Sequence, residues 1–417
     1  MAKKSNSKLN LKSFFNLSTL GKKVPFGLPR SPHPTDFLLL LVLVTILNLF
    51  GLVMVLSASS VISESHYGSP WVYFEHQALW VLLGAIALFV VMQFDYRYWR
   101  RWVPLFLGAC IVMLIGVLVP GVGVKVLGSS RWIGYGSLRI QPSEIVKLAL
   151  VFFYADLFSR RKDKVKDLNQ VLRPALMVFG IVGLLVMLQP DMGTTIIIAC
   201  ITFAILYIGG TPGRALLALS ALGVIGGYIL GVIQPYRRAR LLTFLNPWAH
   251  PLSGGYQIVQ SLVGLGSGHI LGVGLGAGTV KWGFLPNAFT DFIFSVIGEE
   301  LGLVGSLIVV GFFILLAVLG IRIAVRAPDR YGTLVAIGIT CWITTQAIVN
   351  IGAVIGILPV TGVPLPFISF GGSSLLVEMT GIGVLLNISH QEKKTKLKPK
   401  TELKFEPSAV NTYKNLP

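Results

Sequence analysis

The sequence predicts an all-α, polytopic membrane protein with about ten transmembrane helices and a large extracytoplasmic loop between the seventh and eighth. Of its 417 residues, 54% are hydrophobic and 12% are charged, whereas soluble domains carry about 25% charged residues. Ten apolar runs approach the roughly 20 residues that a helix needs to cross the hydrocarbon layer. This composition excludes a soluble enzyme.

The predicted spans follow one another along the chain from residue 36. About 35 polar residues precede the first run, which is also too long for the apolar part of a cleaved signal peptide, so we interpret it as a span. The ten runs are approximately 36–58, 75–94, 102–120, 143–159, 174–190, 193–209, 214–233, 298–325, 332–357 and 371–389.

Three regions follow from this pattern. Residues 1–35 and 391–417 are rich in Lys, Ser, Asn and Pro, and they predict basic cytoplasmic tails that are too polar to bury a core. Residues 36–390 form the ten-span membrane domain. Its outer loop, about 234–297, is Gly-rich but also contains aromatic residues. Long loops of this kind are usually functional, so we expect a structured extracytoplasmic element.

The distribution of Lys and Arg predicts that both termini are cytoplasmic. Of 35 such residues, 27 lie in the tails and the predicted inner loops, 7 lie in outer loops, and Lys147 lies within a span. Positive residues are retained on the cytoplasmic side of a membrane. The net charge of +18 then reflects topology and contact with anionic membrane lipid, and we expect no nucleic-acid partner.

Asp291 is the first candidate for chemistry. It follows an aromatic and Pro-rich stretch at 282–290 and precedes Phe292. Desolvation among apolar groups disfavours a charged carboxylate and moves it toward the strength of a general base. The alternative is a helix N-terminal aspartate that accepts hydrogen bonds from backbone N–H groups.

Glu144 and Lys147 are three residues apart at the start of the fourth span, so on a helix they share a face and can pair. A lysine inside a span costs roughly 2.5 to 3.5 kcal/mol, and it is expected to face the bundle interior or a polar cavity. The pair is either part of a functional site or a structural ion pair.

Three arginines, Arg237, Arg238 and Arg240, lie on the predicted outer side, contrary to the general charge distribution. Guanidinium groups bind phosphate or pyrophosphate through a planar fork of donors. The alternative is contact with anionic lipid head groups.

Two glycine-rich segments, 264–268 and 272–276, lie in the outer loop. They lack the preceding strand and the lysine of a nucleotide-binding loop. Close backbone packing, or an anion held by backbone N–H groups, is the better interpretation.

Taken together and in order, the motifs resemble the SEDS family of membrane proteins, which includes FtsW, RodA and SpoVE. The resemblance covers roughly residues 36–390. Its carriers are LSAS at 56–59, GSSRWI at 128–133, QPSEIVK at 141–147, QPDMGT at 189–194, RAR at 238–240, FLNP at 244–247, GYQ at 255–257, TDFIF at 290–294, GEELG at 298–302, NIG at 350–352, LPVTG at 358–362, PLPF at 364–367 and residues 369–373.

The resemblance implies a peptidoglycan glycosyltransferase that polymerises lipid II at the outer face of the membrane. The GlcNAc 4-hydroxyl of an acceptor would attack the anomeric carbon of a chain attached to undecaprenyl pyrophosphate. Asp291 matches the essential aspartate of the family and would be the catalytic residue. The implied substrate-binding residues are Lys147, Glu144, Arg237, Arg238, Arg240, Gln257 and Ser369.

The resemblance also implies partners and a location. A divalent cation, Mg²⁺ or Mn²⁺, would bind the pyrophosphate, but the sequence assigns no metal ligands. The expected partners are lipid II, a class B penicillin-binding protein with transpeptidase activity, and other division proteins. The basic tails and the LSAS motif favour an FtsW-type protein of the bacterial cytoplasmic membrane at the division septum. The alternatives are a RodA-type elongation polymerase and a flippase for a lipid-linked precursor.

Overall fold

In the computed structural model, helices occupy all ten runs that the sequence predicts as spans, and the all-α fold class is confirmed. The structure describes residues 35–396 except 127–128, 136–137, 165–166, 234–237, 239–242, 250 and 253. The predicted tails lie almost wholly outside this range. The helices are α1 Thr35–Tyr67, α2 Val72–Gln93, α3 Tyr96–Trp99, α4 Val103–Leu118, α5 Pro142–Arg160, α6 Arg173–Leu188, α7 Met192–Gly209, α8 Gly213–Ile233, α9 Tyr256–Ser267, α10 Ile293–Arg326, α11 Arg330–Val354 and α12 Gly372–Lys396.

Seven helices in the described part of the chain are long and apolar enough to cross a membrane. They are α1, α2, α6 with the turn that precedes it, α7, α10, α11 and α12. The helices α4 and α8 are apolar as well, but their qualifying stretches are shorter. The protein is therefore a multi-pass membrane protein, and the count of ten spans stays a prediction.

A small antiparallel sheet lies between α4 and α5, where the sequence analysis predicts only a loop. Its strands are β1 Val124–Val126, β2 Ser129–Tyr135 and β3 Leu138–Ile140, and β2 is central. Trp132 pairs with Val124, and Ile133 pairs with Ile140. Aromatic and β-branched residues favour strands, but runs this short give little periodic signal. Since α5 begins two residues after β3, the sheet fixes the position where α5 starts.

Helices α11 and α12 form the centre of the bundle. Most residues in the membrane-spanning stretch of each are buried. Helix α11 packs against α5, α7, α10 and α12, and α2 packs along α12. By contrast, the outward faces of the peripheral helices expose large apolar side chains such as Leu49, Leu82 and Leu184, which is the pattern of a lipid-facing surface. The polar side chains of Gln346, Asn350 and Glu378 on α11 and α12 are therefore enclosed by protein.

Helix α10 is interrupted at Gly302, which has φ 68° and ψ −165°. The residues that follow α9 pair with the backbone on both sides of this break. Val273 N–H donates to the Glu299 carbonyl oxygen at 3.0 Å, and Leu303 N–H donates to the His269 carbonyl oxygen at 3.0 Å. A Cβ atom on Gly272 would collide with the Glu300 backbone. The glycine-rich segments thus serve close backbone packing, as expected from the sequence.

Candidate active site

The ion pair between Glu144 and Lys147 is present and buried. Lys147 Nζ lies 2.8 Å from Glu144 Oε2, and the two side chains are 0% and 3% exposed. Both residues lie in the first two turns of α5, where one helical turn places them on the same face. The predicted pairing and the predicted burial of Lys147 within the bundle are confirmed.

The start of α5 is held by its neighbours. Gln141 Nε2 donates to Ser143 Oγ at 2.9 Å and to Asp191 Oδ2 at 3.2 Å. Asp191 also caps α7, because its side chain accepts from the Thr194 N–H at 3.1 Å. Gln141 N–H donates to Ser373 Oγ at 3.3 Å. These bonds join the first turns of α5, α7 and α12 and so fix where Glu144 and Lys147 lie.

Gln346 on α11 connects the ion pair to the rest of the bundle. Its Oε1 accepts from Lys147 Nζ at 2.8 Å and from Trp342 Nε1 at 3.0 Å. Its Nε2 donates to Glu378 Oε1 at 2.8 Å and to the Pro364 carbonyl oxygen at 3.1 Å. A fully bonded amide of this kind holds one orientation, because reversing it would place donor against donor.

Glu378 on α12 is 1% exposed and adds a second buried carboxyl group. Its Oε2 accepts from the Phe367 N–H at 3.2 Å. Lys147 thus pairs with Glu144 directly and is linked to Glu378 through Gln346. Buried charges are costly unless they are paired, so this cluster is sensitive to the loss of Lys147.

Asp291 lies two residues before α10, next to Asn350 of α11. Asn350 Nδ2 donates to the Asp291 carbonyl oxygen at 2.7 Å and to the Val363 carbonyl oxygen at 2.7 Å. The Asp291 carboxylate lies beside Gly362, where a Cβ atom would be 3.5 Å from Oδ2. Gly362 has φ 72°, a conformation that favours glycine. Asp291 is partly exposed, and it is therefore the acidic residue of this group that a substrate can approach.

Asp291 and the buried ion pair are bonded to the same helix, α11. Gln346, which holds Lys147, and Asn350, which holds the Asp291 backbone, are four residues apart on α11. This spacing corresponds to about 5 to 6 Å along one helix face. Glu144, Lys147 and Asp291 therefore lie at the same end of the bundle, the end that the charge distribution predicts to be extracytoplasmic.

Ser369 lies in the segment between α11 and α12. Its hydroxyl accepts from the Leu365 N–H at 2.8 Å, and its carbonyl oxygen accepts from Gln77 Nε2 at 3.2 Å. The residue is 4% exposed. These bonds stabilise the turn that follows Gly362, and a role for Ser369 in substrate binding stays a prediction.

The other predicted binding residues lie in the outer loop. Arg238 is exposed, and Arg237 and Arg240 lie outside the described residues. Gln257 lies in the first turn of α9 and is partly buried. One turn later, Ser261 Oγ donates to the Val354 carbonyl oxygen at 2.8 Å, which docks α9 on the end of α11. Gln257 is thus close to the helix that carries Asn350.

An apolar cavity of about 510 Å³ lies between α6, α7 and α8. Its lining includes Phe179, Met187, Met192, Leu222 and Gly226. Most of these residues lie toward the ends of α6, α7 and α8 that are predicted to be extracytoplasmic. A cavity with this lining and depth suits a hydrocarbon chain from the outer leaflet.

Sequence analysis did not assign roles to Gln346, Asn350, Lys281 or Glu300. Buried amide and charged groups within apolar spans are rare and usually paired, and this signal singles out Gln346 and Asn350. Their partners come from distant parts of the chain, so the sequence does not reveal the contacts. Among the residues that the structure describes, no group of three His, Cys, Asp or Glu side chains is placed to hold a metal ion.

Comparisons with known proteins agree with this architecture. A family model for cell cycle proteins of the FtsW, RodA and SpoVE type matches residues 37–394. The chain is 40% identical over 359 residues to a probable peptidoglycan glycosyltransferase FtsW from Geobacter metallireducens, covering 86% of this chain and 96% of the relative. It is 41% identical over 352 residues to stage V sporulation protein E from Bacillus subtilis, covering 84% and 96%.

Solved structures share the fold. One chain of a peptidoglycan synthase complex, in which polymerization and crosslinking are coordinated, matches with a TM-score of 0.71 and 27% identity, over 85% of this chain and 97% of that chain. The rod shape determining protein RodA from Thermus thermophilus matches with a TM-score of 0.63 and 25% identity, over 85% and 96%.

Proposed function

This chain belongs to the family of FtsW, RodA and SpoVE cell cycle proteins, and from that membership we infer that it is a peptidoglycan glycosyltransferase of the bacterial cytoplasmic membrane. The observation that carries the inference is 40% identity over 86% of the chain to a probable peptidoglycan glycosyltransferase FtsW. The substrate would be lipid II, and the product a glycan strand on the outer face of the membrane.

In the proposed reaction, Asp291 accepts the proton of the acceptor's GlcNAc 4-hydroxyl. The hydroxyl oxygen forms a bond to the anomeric carbon of the donor, and the bond from that carbon to the pyrophosphate oxygen breaks. Undecaprenyl pyrophosphate leaves. The partial exposure of Asp291 and its fixed backbone support this role, because a general base must reach the proton that it removes.

The departing pyrophosphate needs positive charge. Arg237, Arg238 and Arg240 are proposed to supply it from the outer loop, where Arg238 is exposed. Lys147 is fully enclosed, so direct contact between Lys147 or Glu144 and a substrate requires the bundle to open. If the bundle stays closed, Lys147 and Glu144 are proposed to act on the site through their charges. Lys147 is also proposed to hold α11 in place through its bond to Gln346. The cavity between α6, α7 and α8 is the proposed site for the prenyl chain.

A divalent cation that binds the pyrophosphate remains part of the proposal, but the described residues do not form a protein site for it. The lipid-linked substrate itself could hold such an ion through phosphate oxygens. No step above depends on the cation. Exchanging one divalent cation for another therefore tests the substrate complex and does not test the proposed roles of the protein residues.

Septal cell-wall synthesis is the proposed biological role, with both termini cytoplasmic. The FtsW names of the relatives support division over elongation. The likeness to a peptidoglycan synthase complex supports a transpeptidase partner, for which we propose a class B penicillin-binding protein, together with other division proteins.

The buried polar groups argue for a polymerase over a flippase. A route through the bilayer needs polar groups along its whole depth. After Lys147, however, the side chains of Leu148, Val151 and Phe152 are apolar and buried. The charged cluster thus ends within two turns of the predicted outer surface.

The experiment that tests the function is incubation of the purified protein in lipid vesicles with lipid II, with and without the proposed transpeptidase partner. A polymerase produces glycan chains that are longer than one disaccharide unit. A flippase moves lipid II between leaflets and produces no chains, and that result would overturn the proposal.

A further inference from the structure

We propose that Lys281, Glu300 and Ser57 form a clamp that positions the segment carrying Asp291. The inference rests on the proposed role of Asp291. Lys281 and Glu300 would be positioning residues, because they act on the reaction through the backbone of the segment that leads to Asp291. We call these three residues the outer clamp.

The outer clamp is a buried and closely bonded cluster. Lys281 Nζ lies 2.8 Å from Glu300 Oε1, 3.0 Å from Ser57 Oγ and 2.7 Å from the Gly276 carbonyl oxygen. Ser57 Oγ lies 2.7 Å from both carboxylate oxygens of Glu300. The side chains of Lys281 and Glu300 are 4% and 0% exposed.

All three donors of the Lys281 ammonium group are used within the protein. An ammonium group can donate three hydrogen bonds and accept none, and the three acceptors are Glu300, Ser57 and Gly276. Lys281 therefore has neither a free donor nor an exposed surface for a substrate. Its role is therefore to hold parts of the protein together.

The neighbouring carboxylate, Glu299, holds the two residues before Lys281. Glu299 Oε1 accepts from the Thr279 N–H at 2.7 Å and from Thr279 Oγ1 at 2.8 Å, and Oε2 accepts from the Val280 N–H at 3.2 Å. Two successive glutamates of α10 thus bind three successive residues, 279–281. This stretch has little freedom to move relative to the first part of α10.

Residues 279–281 lie close to Asp291 in the sequence, because Asp291 is ten residues after Lys281. Two backbone hydrogen bonds stabilise this connection. Leu285 N–H donates to the Val280 carbonyl oxygen at 3.1 Å, and Phe292 N–H donates to the Asn287 carbonyl oxygen at 3.3 Å. Leu285 and Phe292 are also buried. Because α10 begins at Ile293 and carries Glu299 and Glu300, the segment 279–292 is closed on the same helix at both ends. Loss of the Lys281 bonds leaves one of those ends held through the Glu299 bonds of Thr279 and Val280, without the bonds to Glu300 and Ser57.

Ser57 extends the clamp to a different helix. It lies on α1, so the outer clamp ties α1 to α10 near their outer ends. At the opposite end of the same two helices, Arg326 Nη1 lies 2.7 Å from Asp36 Oδ2. Asp36 is also buried. Helices α1 and α10 are therefore also joined by an ion pair at the end of the bundle opposite to Asp291.

The test compares Lys281→Met with Asp36→Asn in the full-length protein. Lipid II polymerisation gives kcat and KM, thermal unfolding gives the loss of stability, and hydrogen–deuterium exchange reports the backbone of 279–292. A displacement of a catalytic group by about 1 Å can lower the reaction rate about 100-fold. We therefore expect Lys281→Met to lower kcat at least about tenfold, to change KM for lipid II by less than about threefold, and to speed exchange in 279–292.

Asp36→Asn is expected to lower the melting temperature while leaving kcat and exchange in 279–292 unchanged. If Lys281→Met does not fold, Ser57→Ala replaces it, because this change removes hydrogen bonds without leaving the lysine uncompensated. Unchanged exchange and kcat in the folded variant would overturn the clamp. An equal loss of kcat in Asp36→Asn would also overturn it. If the wild-type protein makes no glycan, the proposed function fails, whereas the exchange measurement still decides whether the clamp holds the segment.

Discussion

Gln346 and Asn350 lie one turn apart on α11, and each side-chain amide holds a different part of the candidate site. Gln346 Oε1 accepts from Lys147 Nζ at 2.8 Å, and Asn350 Nδ2 donates to the Asp291 carbonyl oxygen at 2.7 Å. A single helix face thus joins the buried ion pair of α5 to the segment that carries Asp291.

Asn350→Leu is expected to reduce both stability and polymerisation. The change leaves the carbonyl oxygens of Asp291 and Val363 without their amide donor, and an unsatisfied buried group costs about 1 to 3 kcal/mol. Asn48→Leu is the matched control, since Asn48 is also buried and its Nδ2 donates to the Val44 carbonyl oxygen and the Met379 sulfur, with no bond to the segment that carries Asp291 among those described. If Asn350→Leu and Asn48→Leu lose the same stability and polymerise lipid II at the same rate, a specific role for Asn350 in holding Asp291 is contradicted.

Lys147→Met is expected to destabilise the protein by about 3 to 5 kcal/mol, because it removes the ammonium group that pairs with Glu144 and is linked through Gln346 to Glu378. Combining it with Glu144→Gln removes one of the two carboxylates, so most of the stability should return. If Lys147 supports catalysis, polymerisation does not return with stability. Thermal unfolding and lipid II polymerisation, measured on the same preparations, separate the two effects. Restored polymerisation in the double variant would mean that the pair is structural.

Arg238→Ala is expected to raise KM for lipid II several-fold if Arg238 binds pyrophosphate. Arg238→Lys should recover only part of this loss, because an ammonium group lacks the bidentate fork of a guanidinium group. Arg214→Ala is the control, since Arg214 is likewise exposed but lies at the predicted cytoplasmic end of α8. Complete recovery by lysine would favour contact with lipid head groups.

Asp329, in the loop between α10 and α11, is expected to give a pH-dependent contribution to stability. Burial raises the pKa of its carboxyl group, but hydrogen bonds from the Gly332 N–H, Arg97 and Tyr96 outweigh burial and hold the pKa below its usual value. A carboxyl group with a lowered pKa in the folded state stabilises the protein above its unfolded-state pKa of about 3.9. This contribution is lost as the pH falls through the lower folded-state pKa.

Asp329→Asn should therefore lower the melting temperature at pH 7, and its difference from the wild type should shrink as the pH falls below about 4. Thermal unfolding across this pH range measures the difference. A difference that is the same at pH 7 and at pH 3 would show that ionisation of Asp329 does not contribute.

The local features of the fold are predictable from the sequence. Helix positions follow from apolar runs, and the pairing of Glu144 with Lys147 follows from their separation by one helical turn. The close packing of the glycine-rich segments also follows, because glycine permits the backbone of 268–274 to approach α10. Each of these features depends on residues that are near one another in the sequence or on a property of one residue type.

The contacts that assemble the candidate site are not predictable in this way. Lys147 and Gln346 are separated by 199 residues, and Lys281 reaches Ser57 across 224 residues. Such pairs are set by helix packing, for which one sequence carries no direct signal. The small sheet between α4 and α5 was missed for a different reason, since its strands are too short to show a period of two.

Lipid II polymerisation by Asp291→Asn tests the role of Asp291 as the catalytic base. The substitution keeps the size of the side chain and removes the base, while Asn350 can still bind the backbone carbonyl oxygen at position 291. General-base catalysis contributes about 100-fold to 10,000-fold, so we predict a loss of that size with a melting temperature close to that of the wild type. Wild-type turnover by folded Asp291→Asn would contradict the assignment of Asp291 as the catalytic base.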